Sequence, residues 1–491
     1  MNSPKPSFNI DTPLEQLHAN ERLKWHSRHL RGDIATGLRN PLTGAVPGED
    51  PLLMKFHGIY QQDDRDLRAS RQQRKLEPAY QFMVRLRLPG GTMTATQWLG
   101  LDRIARNFAE RGLRITTRQT LQLHGVRKRQ LKRCIKALAA IGLDTISACG
   151  DDNRGVVCGA NPHVSEAHAQ VQQDAVAASE RFKPKTHGYR EIWYDAPLNQ
   201  PADEEPFYRE LYMPRKFKIG FVLPPINDID VYGQDLGFIA IVEDAHLVGY
   251  NVAVGGGMGK VDNREDSYPR LATVIGFVER AQALDLAEVI MGIQRDHGNR
   301  KDRHQARFKY TLDRLGMPWF RETLAERWGR PLAAARTFSF RHNGDEPGWV
   351  QGDDGLWHGT LMIQSGRVRH ALQDRLAAFF QHYDGEIRLT TNQNLQLIKV
   401  PGYSLAQVKW RLDDLSLSDL LAPDTQAGFT LACVALPTCG LAMAEAERYL
   451  PAFLARFNAI KAAHQIEAQP ITLRITGCPN GCARPYLAEV A

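Results

Sequence analysis

Four of the seven cysteines form two close pairs in the last sixty residues of the sequence. Five residues separate Cys433 from Cys439, and three separate Cys478 from Cys482. Pro and Gly in both segments favour turns that let neighbouring sulfurs point the same way. Four converging thiolates are typical of an inorganic centre, and the five-residue gap favours an iron–sulfur cluster, with tetrahedral zinc as the alternative. The remaining cysteines are isolated, as ordinary buried cysteines are: Cys134, Cys149 and Cys158.

Cations two residues apart form a second kind of candidate site. Arg85 and Arg87 lie in VRLRLPGG, and Lys216 and Lys218 lie in PRKFKIGF, both strand-like sequences. Alternate residues of a strand face the same way, so each pair presents two positive charges that suit an anion. Arg154 lies in the turn-forming sequence GDDNRG and can reach over a pocket. Taken singly, each of these cations is more often a solvated surface residue.

One segment of thirteen residues occurs twice. RITTRQTLQLHGV (114–126) and RLTTNQNLQLIKV (388–400) match at 8 of 13 positions with an offset of 274. Both alternate apolar and polar residues, as half-buried strands do, and each follows a Gly turn and an amphipathic helical stretch, so we predict a duplicated α+β unit. The first copy has kept more ligand-binding side chains than the second. The copies differ at three polar positions, where the second has Asn392, Asn394 and Ile398 in place of Arg118, Thr120 and His124.

Two other motifs are ambiguous. The glycine run VGGGMGK (254–260) has Val after its lysine, where a Walker A loop needs Ser or Thr, so we exclude a nucleotide P-loop. Its glycines fit either a close approach of the backbone to a large flat ligand or a tight hairpin. The basic run 294–310 has no repeating apolar face and is interpreted as solvated. An RNA-binding protein is a weaker alternative, because interleaved aromatics and a known RNA module are missing.

Composition limits the class of protein. The 491 residues contain 62 Lys and Arg against 55 Asp and Glu, which gives +7, and mean hydropathy is −0.39. No apolar run of about 18 residues could span a bilayer, so we exclude a membrane protein and expect a cytoplasmic one. The basic residues are spread along the chain, which favours small anionic ligands over nucleic acid.

Together these motifs resemble the siroheme-containing sulfite/nitrite reductase family, in its NADPH-dependent assimilatory, sulfite-reducing branch. The resemblance covers essentially the whole chain. It rests on FHGIYQQDDRD (56–66), LRLPGG (86–91), TRQTLQLHG (117–125), PRKFK (214–218), NDID (227–230), VGGGMG (254–259), QRDHGNR (294–300), CVALPTCGLAMAEAERYLP (433–451) and TGCPNGC (476–482).

The resemblance implies two cofactors and a set of residues for each. A 4Fe–4S cluster would be bound by Cys433, Cys439, Cys478 and Cys482, and Cys482 would also bridge to the siroheme iron. The siroheme carboxylates would be held by basic and hydrogen-bonding side chains, namely Arg114, Thr116, Arg118, Gln122, His124, Arg215 and Asn480. The cations implied to bind the substrate are Arg85, Arg154, Lys216 and Lys218, which we expect to converge. Arg87 inherits no such role.

The activity implied is the six-electron reduction of sulfite to sulfide in assimilatory sulfate reduction and cysteine biosynthesis. Nitrite-reducing members have asparagine at the position of Lys218, so its lysine favours sulfite. No flavin or NADPH domain is visible, so electrons would come from a flavoprotein alpha subunit that carries the NADPH, FAD and FMN chemistry. Ferredoxin is the alternative donor, in a ferredoxin-dependent sulfite/nitrite reductase. Residues 56–66 favour the flavoprotein.

The fold implied is α+β, with a duplicated ferredoxin-like repeat of pseudo-twofold symmetry. We expect an extended N-terminal arm (1–80), a first repeat (81–146), a siroheme- and substrate-binding α+β domain (147–345), a second repeat (346–421) and a 4Fe–4S domain (422–491). Family members continue for several dozen residues beyond the position of Ala491, so the last domain is expected to be truncated. A truncated, catalytically silent remnant is therefore a further hypothesis, and loading of both cofactors would exclude it.

Overall fold

The structure is a computed structural model that describes residues 10–160, 165–195, 203–421 and 426–491. Within these residues, no helix is both long and apolar enough to cross a membrane. The described residues form five parts, each with its own helices and strands.

Residues 10–79 form short elements that pack against the main core. These are α1 Ala19–His26, α2 Ile34–Arg39, α3 Asp50–Leu53, β1 Ile59–Asp63 and α4 Arg68–Gln73. Leu30, Ile34 and Met54 are fully buried. The segment expected as an extended arm is therefore a docked and partly helical one, because large apolar side chains at these positions leave water only by packing.

The first repeat places a sheet behind two helices. Its elements are β2 Tyr80–Arg85, β3 Thr92–Thr94, α5 Ala95–Phe108, β4 Leu113–Ile115, β5 Leu121–Val126 and α6 Leu131–Ala140. Thr94 and Gln97 form a capping box that fixes the start of α5, with Thr94 Oγ1 accepting from the backbone N–H of Gln97 at 3.1 Å.

The middle domain follows. Its elements are β6 Asn153–Cys158, α7 Glu166–Arg181, α8 Gly188–Tyr194, β7 Phe217–Val222, β8 Ile226–Asn227, β9 Leu236–Glu243, β10 His246–Val254, β11 Thr273–Glu279, α9 Ala283–His297, α10 Phe308–Leu315, α11 Met317–Trp328 and β12 His342–Asn343. Its five-stranded sheet has the order β11-β10-β9-β7-β6. β6, β7 and β9 run parallel, whereas β9, β10 and β11 are antiparallel.

The second repeat and the cysteine-bearing domain complete the chain. The repeat contains β13 Gly348–Gln351, β14 Trp357–Leu361, β15 Arg367–Val368, α12 His370–Phe380, β16 Glu386–Leu389, β17 Leu395–Val400 and α13 Gly402–Asp414. The last domain contains β18 Thr430–Ala432, α14 Leu450–Ala463 and β19 Leu473–Ile475. β18 and β19 pair in parallel.

The two repeats exchange one strand each. The first sheet has the order β1-β2-β5-β4-β15, and the second β13-β14-β17-β16-β3. Thus β15 of the second repeat pairs with β4 of the first, while β3 of the first pairs with β16 of the second. The reciprocal exchange has the pseudo-twofold symmetry that the sequence repeat predicts, so the predicted duplication is confirmed.

The repeated strands are more deeply buried than their alternation predicts. All six residues of β5 are buried, including the polar Gln122 and His124, and β17 exposes only Lys399. The expectation of a half-buried strand is therefore wrong for β5. Its polar face is turned toward the rest of the protein, where buried polar groups need partners.

Candidate functional site

Sheet register aligns a row of polar side chains across the first repeat. Arg85 of β2 lies opposite Gln122 of β5, and Gln122 lies opposite Arg114 of β4. When the Gln122 amide is oriented to satisfy both of its ends, its oxygen accepts from Arg85 Nε at 2.9 Å and its nitrogen donates to His124 Nε2 at 3.0 Å. Burial and the nearby Arg367 lower the pKa of His124 well below its ordinary value, so this ring is a neutral acceptor.

A second set of cations comes from the middle sheet. Arg154 of β6 lies directly opposite Lys218 of the parallel strand β7, and Lys216 lies two residues earlier on β7. Arg85 Nη1 donates to Cys149 Sγ at 3.0 Å. The acidic groups of Cys149 and Tyr60 in turn raise the pKa of Arg154 despite its burial. The structure therefore brings the four predicted substrate cations together, and each is half-buried.

These cations strongly influence one another. Burial lowers the pKa of both Lys216 and Lys218 well below the ordinary value, and the neighbouring Arg307 guanidinium lowers it further. Arg307 is itself buried and donates from Nη2 to both carboxylate oxygens of Asp235 at 2.9 Å. Asp235 also accepts from the backbone N–H of Lys218 at 3.0 Å. Asp235 thus holds Arg307 beside the strand that carries the lysines.

Arg87, by contrast, lies away from this set. It donates from Nε and Nη2 to the two carboxylate oxygens of Asp144 at 2.9 and 2.7 Å. A charge that is already paired in this way is a structural one, in line with the absence of an inherited role.

The loop between β4 and β5 reaches from the first repeat into the middle domain. Thr116 Oγ1 accepts from the backbone N–H of Arg118 at 3.1 Å, and Arg118 Nη1 donates to Gln234 Oε1 at 2.6 Å. Arg118 Nε is buried without a partner. Burial and the nearby Arg484 lower the pKa of Arg118 to about 9. A buried guanidinium with no carboxylate bound to it fits an anionic group on a ligand.

The glycine loop that joins β10 to the following segment packs against the cysteine-bearing domain. A Cβ on Gly256 would lie 2.2 Å from the carbonyl oxygen of Tyr232, and one on Gly259 would lie 2.5 Å from that of Asn480. Lys309 Nζ donates to the carbonyl oxygens of Gly257 and Gly259 at 3.1 and 2.7 Å. These glycines therefore permit a close approach between two stretches of backbone, one of which contains Asn480.

The two cysteine pairs meet because β18 and β19 are neighbours. Ala432 lies opposite Ile475, so Cys433 follows one strand where the 476–482 loop follows the other. The backbone N–H of Gly477 donates to Cys433 Sγ at 3.2 Å, and Asn480 Nδ2 lies 3.7 Å from Cys478 Sγ. Burial raises the pKa of Cys439 to about 11, and all three other thiols of the pairs add to the rise. The four sulfurs thus surround one region.

Two kinds of centre take four cysteine thiolates, tetrahedral zinc and an iron–sulfur cluster. Tetrahedral zinc would draw its sulfurs to roughly 3.8 Å from one another, given a Zn–S bond of about 2.3 Å. In the part of the chain that the structure describes, no three His, Cys, Asp or Glu side chains are grouped closely enough to hold one metal ion. Four cysteine thiolates are the usual donor set of a 4Fe–4S cluster, so the residues present fit that centre.

The cysteine region borders the predicted cations. Burial lowers the pKa of both Lys218 and Arg114, and the sulfur of Cys482 opposes that shift at both residues, as does that of Cys433 at Arg114. Thr117 Oγ1 donates to the carbonyl oxygen of Cys482 at 3.0 Å. Cys482 is exposed, unlike the three half-buried cysteines of the two pairs.

Arg114 and Arg215 lie beside carboxylates, Arg114 beside Glu447 and Arg215 beside Asp151. Arg114 Nε donates to Glu447 at 3.1 Å and its Nη2 to the carbonyl of Ala432 at 2.6 Å, which fixes β4 to the cysteine-bearing domain. Arg215 Nη1 lies 3.7 Å from Asp151 Oδ1. Burial and Arg303 lower the pKa of Arg215 to about 10.

The basic run 294–310 is not solvated, and that interpretation is wrong. Arg300 is 1% exposed and pairs with the buried Glu21 of α1, while Arg303 Nη1 donates to Asp151 at 2.6 Å. Lys24 Nζ lies 2.6 Å from Glu21 and 3.8 Å from Asp151. Carboxylates from distant segments compensate the positive charges of the run, and nothing in the local sequence indicates them.

In the second repeat, the side chains at the corresponding positions are hydrogen-bonded to one aspartate. Asp345 Oδ1 accepts from Asn392 Nδ2 at 2.7 Å, and its Oδ2 accepts from Asn394 Nδ2 at 2.8 Å and from Thr390 Oγ1. The first repeat has Arg118 and Thr120 where these asparagines stand. Only the first copy therefore presents a cation, as its sequence predicts.

Comparison with known families agrees with this arrangement. The nitrite/sulfite reductase ferredoxin-like half domain matches residues 73–141 and 349–415, which are the two repeats. The nitrite and sulphite reductase 4Fe-4S domain matches residues 177–332, the part of the middle domain that carries Lys216 and Lys218. The cysteine pairs lie outside that match.

Relatives extend over nearly the whole chain. The sulfite reductase (NADPH) hemoprotein beta-component of Staphylococcus haemolyticus is 49% identical over 97% of this chain and 84% of its own length. The protein of that name from Nitrosomonas europaea is 47% identical over 99% of this chain and 85% of its own. Among solved structures, Mycobacterium tuberculosis NirA superposes with a TM-score of 0.75 at 25% identity, over 95% of this chain and 82% of that one.

Proposed function

Because the chain belongs to the nitrite and sulphite reductase family, we propose that it catalyses the six-electron reduction of sulfite to sulfide, as a component of an assimilatory, NADPH-linked sulfite reductase. Its cofactors are siroheme and a 4Fe–4S cluster, and its reaction belongs to sulfate assimilation and cysteine biosynthesis. The observation that carries the proposal is the position of Cys482 beside the predicted cations: Thr117 Oγ1 of the first repeat donates to its carbonyl oxygen at 3.0 Å, and its sulfur lies within electrostatic range of Lys218.

The residues present fit both groups. We assign the cluster to Cys433, Cys439, Cys478 and Cys482, and the siroheme carboxylates to Arg114, Thr116, Arg118, Gln122, His124, Arg215 and Asn480. Arg118 supports this assignment best, since its buried Nε has no partner within the protein. When bound, the two groups supply the electron storage and transfer that the reaction needs.

The four converging cations would bind the substrate. Arg85 and Arg154 keep their charge at any physiological pH, so we assign them to holding the sulfite anion. Lys216 and Lys218 have lowered pKa values, which suits groups that exchange protons near neutral pH. Six electrons arriving at an oxyanion require protons to release its oxygens as water, and we assign the supply of those protons to the two lysines.

The electron donor and the compartment are further parts of the proposal. The substrate is sulfite, and we infer a flavoprotein alpha subunit as donor, because the relatives at 49% and 47% identity are NADPH-dependent hemoprotein components. Ferredoxin is the alternative donor. A cytoplasmic location is consistent with such a partner and with cysteine synthesis.

One experiment tests the proposal directly. The chain is produced in a host that makes siroheme, and its absorption spectrum and iron content are measured without oxygen, followed by turnover of sulfite and of nitrite with a chemical reductant. We expect siroheme bands, about five irons per chain, and faster turnover of sulfite. Lys218→Asn is the matched variant and is expected to shift the preference toward nitrite. A colourless, iron-free protein would refute the proposal and support the silent-remnant hypothesis. Turnover with reduced ferredoxin but not with a flavoprotein would support the alternative donor.

A further inference from the structure

Gln119 of the first repeat clamps a neighbouring strand through its side-chain amide. Its Nε2 donates to the carbonyl oxygen of Cys158 at 2.9 Å, and its Oε1 accepts from the backbone N–H of the same residue at 2.9 Å. Both ends of the amide are therefore satisfied by one residue of β6. This pairing extends the end of β6 much as a neighbouring strand would.

Gln393 is the equivalent residue of the second repeat, 274 positions later. Both glutamines have a positive φ, 55° for Gln119 and 70° for Gln393. Each packs under a tight turn, because a Cβ on Gly91 would lie 2.5 Å from Gln119 Cγ and one on Gly366 would lie 3.1 Å from Gln393 Cβ. The two side chains thus leave the same backbone conformation beneath the same turn.

The strands beyond these turns also correspond. The turn at 89–91 contacts β6, and the turn at 364–366 contacts β18. Arg388 Nη2 lies 3.4 Å from Cys158 Sγ at the end of β6, while its equivalent Arg114 donates to the carbonyl oxygen of Ala432 in β18. The pseudo-twofold symmetry therefore places the segment around Cys433 where the segment around Cys158 lies in the other half.

The clamp is formed in one half only. Gln393 is 1% exposed, and among the residues that the structure describes neither its Oε1 nor its Nε2 has a hydrogen-bond partner. Burying an amide with both ends unsatisfied is costly, so a glutamine at this position needs a partner. The equivalent partner is the backbone of the segment that continues β18 through Cys433.

We infer that Gln393 is the positioning residue of this segment, and that its amide pairs with the backbone around Cys433 when the cluster is bound. The inference rests on the proposed function, because it takes Cys433 as a cluster ligand. It gives the second repeat, whose polar loop is otherwise closed onto Asp345, a direct part in holding the cluster.

The test replaces Gln393 with methionine, which has the same length and no polar end. Iron release to a ferrous chelator is timed anaerobically, and the EPR spectrum and midpoint potential of the cluster are recorded. We expect Gln393→Met to release iron about tenfold faster, with an altered EPR spectrum, as two lost hydrogen bonds imply. Gln119→Met is the matched control. It should lower the unfolding temperature and leave the rate of iron release unchanged.

The opposite outcome is equally specific. If the amide has no partner, Gln393→Met removes two unsatisfied polar atoms and releases iron at the wild-type rate, with an equal or higher unfolding temperature, which would overturn the inference. Should the methionine variant not fold, Gln393→Asn keeps the amide but withdraws it by one methylene. Faster release again supports the clamp, and an unchanged rate refutes it. A wild-type protein without iron would refute the proposed function instead.

Discussion

Anion binding at the four cations should be coupled to proton uptake. Burial and Arg307 lower the pKa of Lys216 and Lys218, so as pH rises both lysines lose their charge earlier than a free lysine does. A bound anion favours the charged ammonium and raises those pKa values again. Binding therefore takes up protons, and affinity is highest at low pH and falls as pH rises between the pKa of the free and of the bound state.

Proton linkage and the Coulomb attraction between a lysine and the anion set the size of the expected change in affinity. For each proton that is taken up on binding, the affinity for the anion falls about tenfold per pH unit as pH rises through that window. Two unit charges 4 Å apart attract by about 4 kcal/mol at an effective dielectric of about 20, and Arg154 and Arg307 remain after one lysine is lost. We expect Lys218→Met to weaken binding about a hundredfold at pH 6, and Lys218→Arg to bind more tightly than the wild type at pH 9, because arginine stays charged.

Sulfate is a suitable probe because its charge is constant over this pH range, whereas that of sulfite is not. Isothermal titration calorimetry of the holoprotein with sulfate, in two buffers of different ionisation enthalpy, counts the protons taken up. The count should fall in Lys218→Arg compared with the wild type. Equal proton counts in the two proteins, or an affinity that does not change with pH, would refute the assignment of these lysines.

Three further predictions concern the cofactors. Arg118→Met should abolish siroheme binding, because the Arg118 charge has no carboxylate partner; the absorption spectrum measures this. The control is Asn392→Leu at the equivalent position, which should keep siroheme and lower the unfolding temperature. Gly256→Ala places a Cβ 2.2 Å from a carbonyl oxygen and should destabilise the loop and reduce siroheme content, whereas Gly440→Ala, with open space around it, should match the wild type in the same spectrum. Cys478→Ser should lose the cluster EPR signal and lower the iron count; a full count would show that Cys478 is not a ligand.

The duplication could be predicted from sequence because it repeats a whole strand pattern. Residues 114–126 and 388–400 each carry enough alternation to define a strand and its turn. The exchange of β3 and β15 could not be predicted, since strands of three and two residues have no pattern of their own and exist only through their partners. The short helices before residue 80 could not be predicted either, because a helix of four to eight residues is too short to show a clear period.

The cations were visible where neighbours in sequence share a face. Lys216 and Lys218 are two residues apart on one strand, and this spacing predicts that they share a face, whereas the same spacing of Arg85 and Arg87 does not show that Arg87 pairs with Asp144. Arg307 was hidden in a basic run, because the carboxylate that holds it belongs to Asp235, seventy-two residues away. Sequence shows the sign of each charge, but only the fold shows which carboxylate neutralises it.

The two similar repeats differ in whether a carboxylate neutralises the polar loop between their paired strands. In the second repeat, Asp345 satisfies Thr390, Asn392 and Asn394 together, which leaves their loop with no charge to offer. In the first repeat the equivalent loop ends in Arg118, whose contacts are an amide and carbonyl oxygens. These acceptors orient a guanidinium without cancelling its charge. A cation that is fixed but not neutralised favours an anionic ligand, so we expect the loop of the first repeat, and not that of the second, to contribute a positive charge to cofactor binding.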